Sequence, residues 1–253
     1  MKKLRYVFVA LIVCLAAACF EVNEEIVINK DGTGVYNTKM DMGAMLQMIK
    51  TMASEEDVAK NGMGKSLDTV LKMKDIVDSI EDLTPDQKRL LQGGTLAMQM
   101  NMDEDILKAD INFPFHSFQD LQDLMQGNTM GNMGGILQKA MSKNNSESAP
   151  ATPGFEQVNS VFDVTVDKKT ISRKLNKAKY DSLMQRPEMA QMQQMMDSGF
   201  EILTTTTIKL PRPVKKSDNP LVKLSADKKT VTLKYDMMKL FKDPEQFSYS
   251  IEY

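Results

Sequence analysis

The chain has 253 residues, of which 42% are apolar and 26% charged, with 32 basic residues against 34 acidic and a formal net charge of −2. That length and apolar fraction suffice for one large domain or two small ones with a sizeable core, and the charge balance excludes the basic footprint of a nucleic-acid binder. One histidine, no tryptophan and two cysteines exclude a His/Cys zinc site, a thiol–disulfide enzyme and a disulfide framework.

Residues 1–5 carry three positive charges, and Tyr6–Ala18 is an unbroken apolar run ending in small residues. The run is too short for a membrane-spanning helix, which needs about 20 residues. A charged start, a short apolar run and a small-residue exit form the pattern of a secretory signal. Cys19 follows Leu15-Ala16-Ala17-Ala18 directly. This resembles the lipobox of bacterial lipoproteins, although Ala16 stands where leucine is commoner. The resemblance implies a signal peptide over 1–18, a diacylglycerol on the Cys19 sulfur, cleavage before Cys19 and acylation of the new amine with a palmitate-type chain. The alternative is an ordinary secreted protein cleaved after Ala18, with Cys19 free. The lipobox reading places the chain in the bacterial cell envelope, bound to a membrane through its anchor. Phe20, where an aspartate would resemble an inner-membrane retention signal, points to the outer membrane.

Removing residues 1–18 leaves 29 basic residues against 34 acidic, a formal charge of −5, and Cys19 as the only thiol. Stability must then come from the core rather than from disulfides.

The mature chain opens with a hairpin: Glu24–Asn29, a turn at Asp31-Gly32-Thr33-Gly34, and a return over Val35–Lys39. Met42, Met45, Leu46, Ile49 and Met52 follow at helical spacing, and 54–65 reads as a connection. Leu67, Val70, Leu71, Lys74 and Val77 also lie at helical spacing. Thr84-Pro85-Asp86 starts a further helix that stops at Gly93-Gly94. A second hairpin alternates through Leu96, Met98, Met100 and Met102, turns at Asp103-Glu104-Asp105 and returns over Ile106–Phe113, where Pro114 should end it. Ser117 is set to cap a helix through Phe118, Leu121, Leu124 and Met125, and a short helix is expected near Ile136–Met141. Residues 144–154 are a polar Pro/Ser/Ala segment, a linker or long surface loop between an N-terminal part (19–143) and a C-terminal part (155–253).

In the C-terminal part, Val158–Val166 and Thr170–Leu175 form a hairpin, and helices are expected over Lys177–Gln185 and Pro187–Ser198. Ile202–Leu210 is a Thr-rich strand, Leu221–Leu224 and Thr230–Tyr235 another hairpin, Met237–Phe241 a helical turn, and Phe247–Tyr253 an alternating strand. Val166–Leu175 and Ala226–Tyr235 share Asp-Lys-Lys-Thr. Either a hairpin-plus-helix unit recurs, at 35–49, 106–125 and 229–241, or turns simply favour Asp and Lys. The expected class is α+β: an antiparallel sheet built from β-hairpins, with amphipathic helices packed on one face.

Little in the chain carries chemistry. His116, the only histidine, lies where a strand hands over to a helix, without a nucleophile–acid pattern around it. Glu24/Glu25, Glu55-Glu56-Asp57 and Asp103-Glu104-Asp105 read as solvated acidic faces, the last lacking the spaced ligands of an EF-hand. Gly32 and Gly34 fit a hairpin turn, since no Lys-Ser/Thr follows them as in a phosphate loop. The expectation is therefore a non-enzymatic protein without a cofactor.

Methionine, at 22 residues, poses the open question. Met42, Met45 and Met48 form one M-x-x-M run, and Met189, Met192 and Met195 another. Three-residue spacing brings such side chains near one helix face. Three readings follow: a soft apolar core or groove that takes an apolar ligand or an envelope protein, thioether coordination of Cu(I) or Ag(I), or a purely structural lipoprotein. Met98, Met100 and Met102 alternate along a strand, which favours a general apolar use over a local metal site. Finally, the anchor, first strand, turn and return strand, with Ile26–Val35 (IVINKDGTGV), resemble the opening of uncharacterised envelope lipoproteins including the mycobacterial LppM type. That resemblance implies an α+β lipid-binding-like domain.

Overall fold

The computed structural model describes residues 19–52, 66–80, 83–126, 159–187, 189 and 201–253. The proposed signal peptide, the short helix near 136–141, the 144–154 segment and most of the 187–198 helix lie outside them.

Alternation with a period of two builds the main sheet. In β1 (Cys19–Ile28), Phe20, Val22, Ile26 and Ile28 are buried while Glu21 and Asn23 face outward. β2 (Gly34–Asp41) returns antiparallel to it, with Ile26 opposite Tyr36. β5 (Ile106–Phe115), β4 (Thr95–Asn101) and β3 (Leu67–Lys72) extend the sheet on one side. β8 (Glu201–Lys209), β11 (Thr230–Asp236) and β10 (Lys223–Leu224) extend it on the other, in the order β10-β11-β8-β1-β2-β5-β4-β3. Every pairing in it is antiparallel except β1–β8, which is parallel and sets Cys19 opposite Glu201 and Ile26 opposite Ile208. Strands from 19–143 and from 155–253 thus share one sheet.

A second, four-stranded sheet runs β6 (Phe162–Val166), β7 (Thr170–Leu175), β12 (Tyr249–Glu252), β9 (Lys216–Ser217). It meets the inner face of the first sheet where Arg173 and Tyr249 approach Glu24, Tyr36 and Tyr235. The fold class is α+β, with antiparallel pairing dominant.

Four α-helices complete the described fold: α1 (Gly43–Met52), α2 (Pro85–Gln92), α3 (Phe118–Met125) and α4 (Lys177–Met184). Their starts follow capping chemistry. The Thr84 hydroxyl accepts from the Gln87 N–H at 3.3 Å while the Gln87 side chain accepts from the Thr84 N–H at 2.9 Å, a reciprocal capping box. Ser117 Oγ accepts from the Asp120 N–H at 3.0 Å, as its position before an apolar run predicts. At the other end of α3, side-chain amides finish an open strand edge. Gln126 Oε1 accepts from the Val164 N–H at 2.9 Å, and Gln122 Oε1 from the Val166 N–H at 3.1 Å. Both β6 groups would otherwise lack partners.

Two local expectations are corrected. Residues 67–77 are not a helix: β3 is followed by 3₁₀ turns at Met73–Asp75 and Val77–Ser79. Leu67 and Leu71 face inward against β4, while Val70, 68% exposed, faces out. An apolar residue on the solvated face of an edge strand produced the false helical period. Pro114 does not end β5, which continues to Phe115. The β4 pairing stops at Asn112, so a residue without an N–H is accommodated beyond it. The short strand β9 had no sequence signal.

The repeated Asp-Lys-Lys-Thr is turn chemistry. Asp167 Oδ1 accepts from the N–H groups of Lys169 (2.7 Å) and Thr170 (2.9 Å), and Asp227 Oδ1 accepts from the Lys229 N–H at 3.0 Å. These are local aspartate-anchored turns.

The junction of β5 with α3 is held by a buried carboxylate. Asp120 accepts from Arg89 at 3.0 Å and from the His116 N–H at 3.0 Å. Burial pushes its carboxyl up, but the bond from Arg89, the His116 N–H and the Arg89 charge outweigh that and hold it below the usual carboxylate range. A lowered native pKa means stability that is present above the unfolded value, near pH 4, and lost as pH falls through the native one. Asp120→Asn is expected to cost about 1–3 kcal/mol at neutral pH, because hydrogen-bonded charge is lost from a buried site. The cost should shrink toward pH 2. Arg89→Ala should cost a similar amount, about 1–3 kcal/mol, since it leaves the Asp120 carboxylate, 6% exposed, without its charged partner and held by its backbone donor. Urea unfolding at the two pH values checks both; an Asp120→Asn penalty independent of pH would contradict the account.

Candidate functional site

Each face of β1 carries a polar feature. On the outer face, residues of odd number in β1 and β2 and even number in β5 point to solvent. Two depressions of about 450 and 550 Å³ lie there and meet at Glu21 and Asn23. The first runs over β2, β5, β4 and β3, with Lys39, Asp41, Asp68, Gln99, Lys108 and Asp110. The second runs over β8 and β11, with Glu201, Leu203, Thr205, Lys234 and Asp236. Together they make an open trough across the strands.

Cross-strand ion pairs organise its charges: Lys39–Asp110 at 3.4 Å, Lys108–Asp41 at 3.5 Å and, beside it, Lys209–Glu25 at 2.8 Å. All are solvated and contribute little individually, about 0.2–1 kcal/mol each. Their chief effect is to present alternating charge on a flat backbone. The trough offers carboxylates, ammonium groups and the amides of Asn23 and Gln99. This surface suits polar contacts and does not suit an acyl chain.

On the inner face, Glu24 sits among apolar side chains. Its carboxylate accepts from the Tyr36 hydroxyl at 2.8 Å and from Thr206 Oγ1 at 2.6 Å, joining β1, β2 and β8. Arg173, from the second sheet, stacks over the Phe162 ring with its guanidinium carbon 3.9 Å from the centroid, and donates to Asn159 at 3.0 Å. Tyr235 and Tyr249 close the gap between Glu24 and Arg173, which holds about 20 Å³, room for about one water-sized group. The cluster ties the sheets together and is too small for a substrate.

The same burial governs the tyrosines. Burial, then the Glu24 charge, pushes the Tyr36 hydroxyl well above its ordinary value. Burial likewise raises Tyr180, Tyr235 and Tyr249, and brings Tyr253 to about 12. These are all the tyrosines beyond Tyr6. Raised native values mean stability that is complete below the unfolded value near pH 10 and lost as pH rises through the native ones. Titration of the chain from Cys19 onward at 295 nm is expected to show little tyrosinate at pH 10.5, followed by a steep rise coincident with loss of circular dichroism. Normal titration of most tyrosines in folded protein would contradict this.

The sequence-predicted residues fall as follows. Met42 and Met189 are buried in the core. Met45 and Met48 belong to α1, whose side chains are described only in part, and Met192 and Met195 lie outside the described residues. Met73, Met98, Met100, Met102 and Met238 also fill the core. His116 is exposed and contributes its backbone N–H to Asp120. Asn101 Oδ1 caps a turn by accepting from the backbone N–H groups of Asp103 and Glu104. Asp105 pairs with Lys50 and accepts from Gln47 at 3.1 Å, pinning α1 to the β4–β5 turn. Among the described residues no group of three or more His, Cys, Asp or Glu side chains is placed to hold a metal ion. No described helix is long and apolar enough to cross a membrane. The expected solvated pair of Glu24 and Glu25 is corrected: Glu24 faces inward and is held by Tyr36 and Thr206. Its place on the Val22–Ile26–Ile28 face of an alternating strand was the signal that separates the two.

The features define a two-sheet α+β protein whose central strand begins at Cys19, polar on its open face and apolar within. No protein-family model matches the chain, and no curated protein does. One solved structure, the NMR structure of the folded domain of the LppM protein of Mycobacterium tuberculosis, aligns with 92% of this chain and 88% of its own, at 10% identity and a TM-score of 0.38. The functional reading therefore rests on the residues themselves.

Proposed function

We propose that this is a non-enzymatic lipoprotein of the bacterial envelope, anchored through Cys19, in the outer membrane, and holding a protein partner against its open sheet face. The observation that carries the anchor is Leu15-Ala16-Ala17-Ala18-Cys19 at the end of a short apolar run, directly ahead of a folded sheet. The polar lining of the trough supports a polar, extended partner over an apolar ligand. Burial of Met42 and Met189 supports methionine as core filling over a Met-lined groove at those two positions; thioether binding of Cu(I) or Ag(I) through the M-x-x-M runs is the alternative reading.

The test is mass spectrometry of the N-terminal peptide after expression of the full chain in a bacterial host. The expected product starts at Cys19, carries diacylglycerol on sulfur and is acylated on the amine. A product starting at Cys19 with a free thiol, or one retaining residues 1–18, would sink the reading.

A further inference from the structure

We propose that the Cys19 end of the main sheet lies within the lipid headgroup layer, with Leu203 as its contact residue, so that the trough opens at the membrane surface. The inference rests on acylation of Cys19 and adds to it an orientation.

No spacer separates Cys19 from the fold. Cys19 already pairs with Glu201, Phe20 with Ile202, and Glu21 with both Leu203 and Asp41. Leu203 is two residues along and one strand across from Cys19; the strand spacing is a lateral offset, so Leu203 lies only about 6.6 Å beyond the anchor along the strands at roughly 3.3 Å per residue. The polar layer of a bilayer is only about 5–7 Å deep on each side. An acylated Cys19 sits at its inner boundary, so the row Asp41–Glu21–Leu203–Asp236 is carried to headgroup depth. Escaping that position would require β1 to peel away as a tether, which would pull Phe20 and Val22 out of the core.

A second observation points the same way. Val70, Leu203 and Leu224 are the exposed large apolar side chains among the described residues, and Leu203, 40% exposed, is the one in the row beside the anchor. Val70 and Leu224 belong to β3 and β10, the outermost strands. The charges around Leu203 are mixed, with Glu21, Glu201 and Asp236 against Lys234 and Lys239. Attraction to anionic lipid therefore contributes little, and the contact is set by the absent spacer and the apolar side chain.

The chain has no tryptophan, so Leu203→Trp creates a single reporter. The full acylated protein, purified from membranes, is reconstituted into phosphatidylcholine vesicles containing lipid brominated near the headgroup. Emission of the Leu203→Trp protein is expected to fall by about twofold or more, as for an interfacial indole, and to do so equally at high salt. Lys30→Trp, in the exposed turn at the far end of β1, should be unaffected. A flexible Gly/Ser spacer inserted between Cys19 and Phe20 should abolish the Leu203→Trp quenching while acylation persists. Acylated protein in which Leu203→Trp is quenched no more than Lys30→Trp, or in which the spacer changes nothing, would overturn the orientation and leave the lipoprotein reading standing. Absence of acylation on the same preparation would overturn that reading and the orientation with it.

Discussion

Cys19→Ser is expected to move the protein from the membrane fraction to the soluble periplasmic fraction almost completely. The substitution removes the sulfur that would carry diacylglycerol. Each buried methylene contributes about 0.8 kcal/mol to membrane binding, and one acyl chain gives only marginal attachment while two or more hold firmly. Among the described residues nothing else replaces that anchor. Its formal charge is −5, which disfavours an anionic leaflet, and the described helices include no membrane span. Export should survive, because Ala16-Ala17-Ala18 itself has the small-residue pattern that an ordinary signal peptidase cuts. The β1 pairing at position 19 is made by backbone groups, which serine retains. Fractionation with a carbonate wash, with N-terminal mass as the check on cleavage, reads the result. A cleaved Cys19→Ser protein that stays with washed membranes would mean that the attachment is not the lipid.

The strands were largely legible because the rule behind them is local. Ile26 and Ile28 repeat at period two, and so do Met98, Met100 and Met102 or Phe247, Tyr249 and Ile251; all are buried, although β1 starts at Cys19, five residues before the strand expected from Glu24. Helix starts at Thr84 and Ser117 were legible for the same reason, since a cap needs only its next three residues. The parallel β1–β8 pairing was not legible. It joins Glu24 to Thr206 across 182 positions, and neither strand carries a mark that names its partner. The trough inherits that blindness, because Glu21 and Leu203 become neighbours only through the pairing. Glu24 stands between the two cases: its face was readable from alternation, but its partners Tyr36 and Thr206 come from two other strands, and Arg173 faces it across a small gap from the second sheet. The misread segment 67–77 shows how a single outward Val70 can shift an apparent period from two to nearly four.

Gly34→Ala is expected to be the most damaging single-methyl change in the hairpin that sets this sheet, costing about 3 kcal/mol or more. Gly32 and Gly34 share one turn signal but serve different needs. Gly32 has φ +88°, a left-handed conformation that costs a side chain about 1–2 kcal/mol. An added Cβ there would meet the Phe118 ring at 2.6 Å, and that ring is only half-buried, so it can yield. At Gly34 the added Cβ would fall 1.9 Å from the Val27 carbonyl oxygen and 2.3 Å from the Phe115 ring. The oxygen belongs to the partner strand, in register where Ile28 faces Gly34, so relief requires the β1–β2 ladder to open. Phe115 is fully buried and has no room to retreat. Against a typical total stability of about 5–15 kcal/mol, such a loss should be plain in guanidinium unfolding, with Gly34→Ala well below Gly32→Ala in midpoint. Adding Phe115→Leu to Gly34→Ala separates the two obstacles. Little recovery is expected, because the shorter contact is with backbone; full recovery would assign the strain to the ring and refute the role given to the Val27 carbonyl.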